Sequence, residues 1–287
     1  MKKLDLHTHT TASDGIYSPR ELIDAAIHNG LVALAITDHD TVDGLPEAVK
    51  YAARAGIRLY PGVEFSIDYD EGSFHLLGIN IDYTHAGLRK EVKRLAEFRG
   101  ARAYKIVEDL KRHDIDIPID EVLAQSGGGA IGRPHIARVM VDHGYASSIR
   151  DVFRDYLVKG KPGYVKKERI EFNAAISLIK DSGGIPVIAH PVSLECRDYD
   201  EFEGRLKQFI NAGVRGMEVY AGMHTVDQAM QYRRLADKYD LVVTGGSDFH
   251  GDKEEILGNY TKERSIPIGI YHRLEDYIKR SRNQGAS

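Results

Sequence analysis

The stretch SPRELIDAAIHNGLVALAITDHD, Ser18 to Asp40, sets the fold class. Its first half is a helix with both ends marked. Ser18 is placed to cap it, Pro19 takes the first helical position, and Glu21 completes a capping box. Gly30 supplies the left-handed stop. The second half opens with LVALAI, Leu31 to Ile36, an apolar run of strand length. Such a run is expected where a sheet is covered on both faces. It ends in Thr37-Asp38-His39-Asp40. A capped helix that feeds a buried strand is the repeating unit of a parallel α/β sheet.

The same rhythm continues outward. On the N-terminal side lies KKLDLHTHTTASDG, Lys2 to Gly15, a short strand running into polar residues. On the C-terminal side PEAVKYAARAG is a helix closed by Gly56, and IRLYPGVEFS and SFHLLGINID are strands. Later, FNAAISLIKDSGG, EFEGRLKQFINAG and TVDQAMQYRRLADKYD are helices, the last with a capping box of Thr225 and Gln228. GIPVIAHP, VRGMEVY and LVVTGGSDFH are strands, LVVTGGSDFH being read as the final one. About seven strands in this rhythm suit a closed or nearly closed barrel, with a doubly wound open sheet as the alternative. The middle breaks the pattern. ARAYKIVEDLKRHD, IDEVLAQSGGG, RPHIARVMVDHG and SIRDVFRDYLVKG are helical with no strong strand between them. The expected organisation is a barrel of residues 1–99 and 166–287 with a helical insertion at 100–165. From Arg99 to Arg169 there are 14 basic and 10 acidic side chains, whereas the whole chain carries a formal charge of −4.

That overall charge gives no global basic field for duplex nucleic acid. The single cysteine, Cys196, excludes an internal disulfide and any multi-cysteine metal site. No apolar leader and no run of membrane-spanning length is present, so the expectation is a cytoplasmic protein without a membrane partner. No obligate protein partner is evident. A phosphate-binding Gly-rich loop and a dinucleotide fingerprint are both missing.

Nearly every strand ends in a residue that binds metal. His7 and His9 share one face of the first strand, because positions i and i+2 point the same way. Asp14 follows in the loop, then His39, Glu64 and His190 at later strand ends, and Asp248 and His250 at the last. His75, near the start of its strand, fits this rule least well. In a β/α barrel, strand C-terminal ends converge on one face. Nine ligands, His7, His9, Asp14, His39, Glu64, His75, His190, Asp248 and His250, exceed what one tetrahedral ion takes and suit two or three. Imidazole and carboxylate without thiolate fit manganese, zinc or ferrous iron. Glu64 is the candidate bridge between ions, and Gly245-Gly246 read as room for Asp248. His28, His85, His113, His143 and His272 lie away from strand ends and are read as ordinary histidines.

The motifs H-T-H-T-x-x-S-D-G at His7–Gly15 and T-D-H-D at Thr37–Asp40 resemble the PHP (polymerase and histidinol phosphatase) family. So do isolated Glu64, His75, A-H-P at Ala189–Pro191 and S-D-F-H at Ser247–His250. The resemblance spans essentially the whole chain. It implies a distorted (β/α)₇ barrel with a trinuclear centre, often manganese, in which His7, His9, Glu64 and Asp248 hold one ion. Asp14, His39 and His250 would hold a second, and Glu64, His75 and His190 a third. Asp14, His39 and His190 are the residues expected to act at the reacting phosphate. Ser13-Asp14 and the helical insertion look most like the TrpH-like group. That group contains 3′,5′-nucleoside bisphosphate phosphatases and RNase AM-type 5′→3′ exoribonucleases. Histidinol phosphatases of this fold commonly differ at that motif.

The insertion gives an independent reason for a nucleotide. Pro134 opens a helix directly after Arg133, and a helix N-terminus attracts anions. Arg102, Arg133 and His135 are therefore expected to hold a second phosphate or the sugar, with Gly127–Gly129 letting the loop move. Tyr220 and His224 are candidates for the leaving-group side. The reading is a metal-dependent phosphoesterase acting on a small phosphorylated nucleotide or a short RNA 5′ end. The alternatives are a histidinol-phosphatase-type enzyme and an inactive module that binds a partner or nucleic acid.

Overall fold

The computed structural model describes residues 2–69, 73–125, 131–252 and 255–285. Seven strands form one sheet in chain order: β1 (Lys3–Asp5), β2 (Leu31–Ile36), β3 (Arg58–Ser66), β4 (His75–Ile79), β5 (Ile185–Ile188), β6 (Gly216–Ala221) and β7 (Val242–Gly246). The Leu6 amide donates to Gly245 O at 3.0 Å, and Thr8 bridges Phe249. These contacts bring the last strand back to the first, so the sheet is a nearly closed barrel. The helices are α1 (Pro19–His28), α2 (Leu45–Ala55), α3 (Ala86–Lys111), α4 (Ile119–Gln125), α5 (Arg133–Asp142), α6 (Ile149–Val152), α7 (Phe172–Asp181), α8 (Tyr199–Ala212), α9 (Val226–Lys238) and α10 (Gly269–Gly285). Both capping boxes read from the sequence are formed, and Gly30 and Gly56 hold left-handed φ of 76° and 74°.

The sheet is not uniformly parallel. β4 runs antiparallel to both β3 and β5. Only residues 67–74 connect β3 to β4. A parallel return needs a crossover of a dozen residues or more, so the chain can only turn back on itself. The start of β4 therefore lies at the rim where the other strands end. Ser66 pairs with His75 and Glu64 with Leu77. Directly opposed residues share a face, so the side chains of Glu64 and His75 project together. This is why His75 sits at a strand start.

β7 is also not the last strand. A small antiparallel hairpin, β8 (Asn259–Thr261) with β9 (Arg264–Ser265), lies outside the barrel. Helix α10 follows it, burying Ile270, Leu274 and Ile278 at four-residue spacing. Its start carries no Ser, Thr, Asp or Asn cap, so the usual sequence signal is missing.

The apolar side chains form two clusters. One fills the barrel and the space beneath its outer helices. The other gathers Ile106 and Leu110 of α3, Val122 of α4, Ile136 and Met140 of α5, and Leu157. Helix α3 is continuous from Ala86, so Gly100, the expected start of the insertion, lies inside it. Gly127–Gly129 lie outside the described residues. No described helix is long and apolar enough to cross a membrane.

Candidate metal centre and anion cavity

The nine residues at the rim converge. Ligand atoms of His7, His9, Glu64 and Asp248 all lie within 4.8 Å of one another, as do those of His9, Asp14, His39 and His250, and those of His39, Glu64 and His75. Glu64 is fully buried and central. One of its oxygens lies 2.9 Å from His39 Nδ1 and 3.2 Å from His7 Nε2, the other 2.8 Å from His75 Nδ1 and 3.1 Å from His190 Nε2. Burial alone would raise its pKa, but His39, His7 and His75 outweigh it and hold the carboxyl well below its usual range.

The proton positions show what this cluster lacks. His7 Nδ1 lies 3.2 Å from both oxygens of Glu218, which only accept, so that nitrogen carries the proton. Its Nε2 then faces Glu64 and Asp248 Oδ1, also 3.2 Å away, with a lone pair whenever the ring is neutral. His190 Nδ1 lies 2.9 Å from Ser193 Oγ, whose own proton goes to Ser73 O at 2.7 Å. Nδ1 therefore donates, and Nε2 faces Glu64 at 3.1 Å. His250 Nδ1 donates to Asp248 O at 2.8 Å, leaving Nε2 toward Asp14 at 3.4 Å. Imidazole nitrogens and carboxylate oxygens about 3 Å apart are held together by a proton on the ring or, with the rings neutral, by a cation between them. His7 Nε2, His9 Nδ1, Asp14 Oδ1, His39 Nδ1 and Glu64 Oε2 are correspondingly buried without a hydrogen-bond partner. The donor set fits divalent ions that accept nitrogen and oxygen.

A cavity of about 180 Å³ adjoins this cluster. Asp14, His39 and His75 form its floor. Arg99, Arg102, Arg133, Lys167 and Arg169 stand around it. Burial pushes the Arg102 guanidinium down to about 10, with Arg133 and Arg99 adding to the effect. Cations crowded in this way form a site for an anion. Arg102 is steadied by Val165 O at 2.8 Å, and Arg133 by Leu157 O at 3.0 Å and by the Phe153 ring. Behind them the buried Asp40 carboxylate pairs with Arg99 and, at 2.9 Å, with Lys167.

Residues 5–174 match the model of the PHP domain family. A 3′,5′-nucleoside bisphosphate phosphatase of Chromobacterium violaceum is 36% identical over 98% of this chain and 99% of its own. The chain belongs to the PHP domain family. The 5′-3′ exoribonuclease Rnm of Salmonella typhimurium is 37% identical over 86% of this chain and 84% of its own. A Bifidobacterium adolescentis structure classed with the metal-dependent phosphoesterases superposes with a TM-score of 0.83 at 31% identity, covering 94% of each chain.

Not every residue singled out in the sequence meets this PHP-domain site. His135 is buried, and its Nδ1 accepts from the Gly132 amide at 2.9 Å within its own helix start. It does not wall the cavity, because that bond turns the ring back toward the cap. His224 is buried with Nδ1 on Val219 O, and Tyr220 packs edge-on against Tyr260; neither reaches the cavity. Gly246 makes room for His7 rather than Asp248, since an added Cβ would stand 2.1 Å from His7 Cβ. Glu218, Asp40 and Lys167 were missed as functional residues. Glu218 had a visible signal, a lone carboxylate inside the apolar run VRGMEVY.

Proposed function

We propose that the protein is a divalent-metal-dependent phosphoesterase that hydrolyses 3′,5′-nucleoside bisphosphates and acts on the 5′ ends of short RNA. The observation that carries this reading is the shared wall: Asp14, His39 and His75 belong to the ligand cluster and also floor a cavity ringed by five cations. One phosphate fits over the cluster and a second fits among the cations. A 5′-phosphate in the cavity places the 3′-phosphate, or the next phosphodiester of RNA, over the cluster. The same pocket thus suits the substrates named for both relatives.

In this proposal His7, His9, Glu64 and Asp248 hold one ion, Asp14, His39 and His250 a second, and Glu64, His75 and His190 a third. His9 also lies within reach of the second set and His39 within reach of the third. Manganese is the first ion to test, then zinc and ferrous iron. Such ions polarise a phosphoryl oxygen and lower the pKa of water. Asp14 and His39 border the reacting phosphate, and His190 orients Glu64 from behind. The insertion at 100–165 serves as the lid that reads the second phosphate, through Arg102 and Arg133, with Arg99, Lys167 and Arg169 completing the ring.

The test is phosphate release with manganese from adenosine 3′,5′-bisphosphate, 5′-AMP, histidinol phosphate and a 5′-phosphorylated oligoribonucleotide. The bisphosphate is expected to react much faster than 5′-AMP. Arg133→Ala should lower kcat/KM for the bisphosphate by roughly 10- to 100-fold, the worth of a charged hydrogen bond, and leave 5′-AMP unchanged. Faster turnover of histidinol phosphate, or an equal loss on both nucleotides, would refute the assignment of the cavity. Glu218→Gln should weaken metal binding by about 10- to 100-fold, since Glu218 fixes the His7 tautomer and accepts from the His190 amide at 2.8 Å. Calorimetric titration of chelator-treated protein reads this directly, and an unchanged affinity would remove Glu218 from the centre.

A further inference from the structure

Cleavage of the P–O3′ bond leaves an alkoxide on the sugar, which must gain a proton as it departs. With one phosphate on the cluster and the other among the cations, O3′ lies between them, inside the cavity. A cavity-wall group is placed to supply that proton. Four of the described candidates, Arg99, Arg102, Arg133 and Arg169, hold their protons tightly at neutral pH. The hydroxyls of Ser66 and Ser73 are too weakly acidic. Asp14, His39 and His75 belong to the ligand cluster. One group remains.

We propose that Lys167 is the general acid that protonates the leaving O3′. The inference rests on the phosphoesterase reading above. Lys167 lies in the segment that returns from the insertion to the barrel, and its side chain is one-fifth exposed. Its ammonium is held in place by Asp40 at 2.9 Å and by the Ser66 hydroxyl. The charged groups around it are Asp40 after β2, Arg99 of α3, Asp14 after β1 and His75 of β4. Burial brings the amine down to about 8; Asp40 pulls it up and Arg99 pushes it down. At that value the ammonium is charged at neutral pH and gives up its proton more readily than an ordinary lysine. In the step, water oxygen bonds to phosphorus and the P–O3′ bond breaks. Its electron pair passes to O3′, and the Lys167 Nζ–H proton follows. The products are a 3′-hydroxyl and phosphate, and the neutral amine recovers a proton from solvent.

The experiment compares two leaving groups in Lys167→Gln and Lys167→Arg. Adenosine 3′,5′-bisphosphate leaves an alkoxide that needs the proton; p-nitrophenyl phosphate leaves a stable phenolate that does not. Lys167→Arg keeps the charge and the Asp40 pair, which guards against a variant that fails to fold. Both variants should lose about 100-fold or more of kcat on the bisphosphate and at least tenfold less than that on the aryl ester. Wild-type kcat on the bisphosphate should fall as pH rises through about 8, and Lys167→Arg should lack that limb. Equal losses on both esters, or no loss on either, would overturn the general-acid role while leaving the phosphoesterase reading intact. Wild-type protein silent on every phosphate ester would overturn both.

Discussion

Glu64→Gln should abolish nearly all phosphate release and most ion binding together. Glu64 contacts His7, His39, His75 and His190 through two oxygens with no exposure to solvent, so no neighbouring side chain can replace it. Glutamine has nearly the same volume, so the packing survives. What is lost is the negative charge that faces four histidine nitrogens and would be shared between the proposed ion sets. Losing ion-assisted charge stabilisation is worth about 4 kcal/mol, on the order of a 10³-fold fall in rate. Metal content after dialysis should drop below that of wild type, and chelation of wild type should reproduce the kinetic defect. A variant with full metal content and a rate within tenfold of wild type would refute the central role of Glu64.

Asp40→Asn should have the largest effect on stability. Asp40 is 2% exposed and is the shared partner of Arg99 and Lys167, both set close among other cations. Removing its charge leaves two cations uncompensated, which costs about 3–5 kcal/mol. Its backbone adopts a left-handed φ of 52°, which asparagine tolerates as well as aspartate does, so the substitution isolates charge from strain. The pH dependence follows from linkage. Burial opposes ionisation of Asp40, but Lys167 and Arg99 outweigh it and hold the folded-state pKa well below the ordinary value. The stability it contributes is therefore complete above the unfolded carboxylate pKa of about 4 and fades as pH falls further. Urea unfolding should show the gap between wild type and variant at neutral pH and a narrowing gap in acid. A gap below about 0.5 kcal/mol at neutral pH would mean that the cluster adds nothing net to stability, as many ion pairs do.

The site was more legible than the framework beneath it, for a physical reason. His7, His9, Asp14, His39, Glu64, His190, Asp248 and His250 stand at or just beyond strand ends, where a polar residue interrupts an apolar run. That interruption is visible in one dimension. The direction of β4 is not written in its own residues; it follows from the eight-residue connection before it. His75 looked misplaced only because that direction was taken as parallel. Lys167 and Asp40 become meaningful only as a pair separated by more than 120 positions, and neither departs from what a surface helix or loop would carry. The polar helix α10 shows the opposite case. Its apolar stripe was readable, but without a start signal nothing separated it from a tail.

The pairing of Ile79 with Ile185 has a consequence for how such a chain can change over time. The chain leaves the sheet after β4 and returns at the adjacent strand β5, touching the end of β3 on the way through the Ile67–Ile170 bridge. Lengthening a connection whose ends are already pinned is cheap, about 0.6 kcal/mol for each doubling of a flexible loop. The intervening helices also carry an apolar cluster of their own. This connection can therefore be lengthened, trimmed or exchanged while the strands that carry the rim cluster keep their register. The strand-end cluster can thus stay fixed while the connection beside it varies.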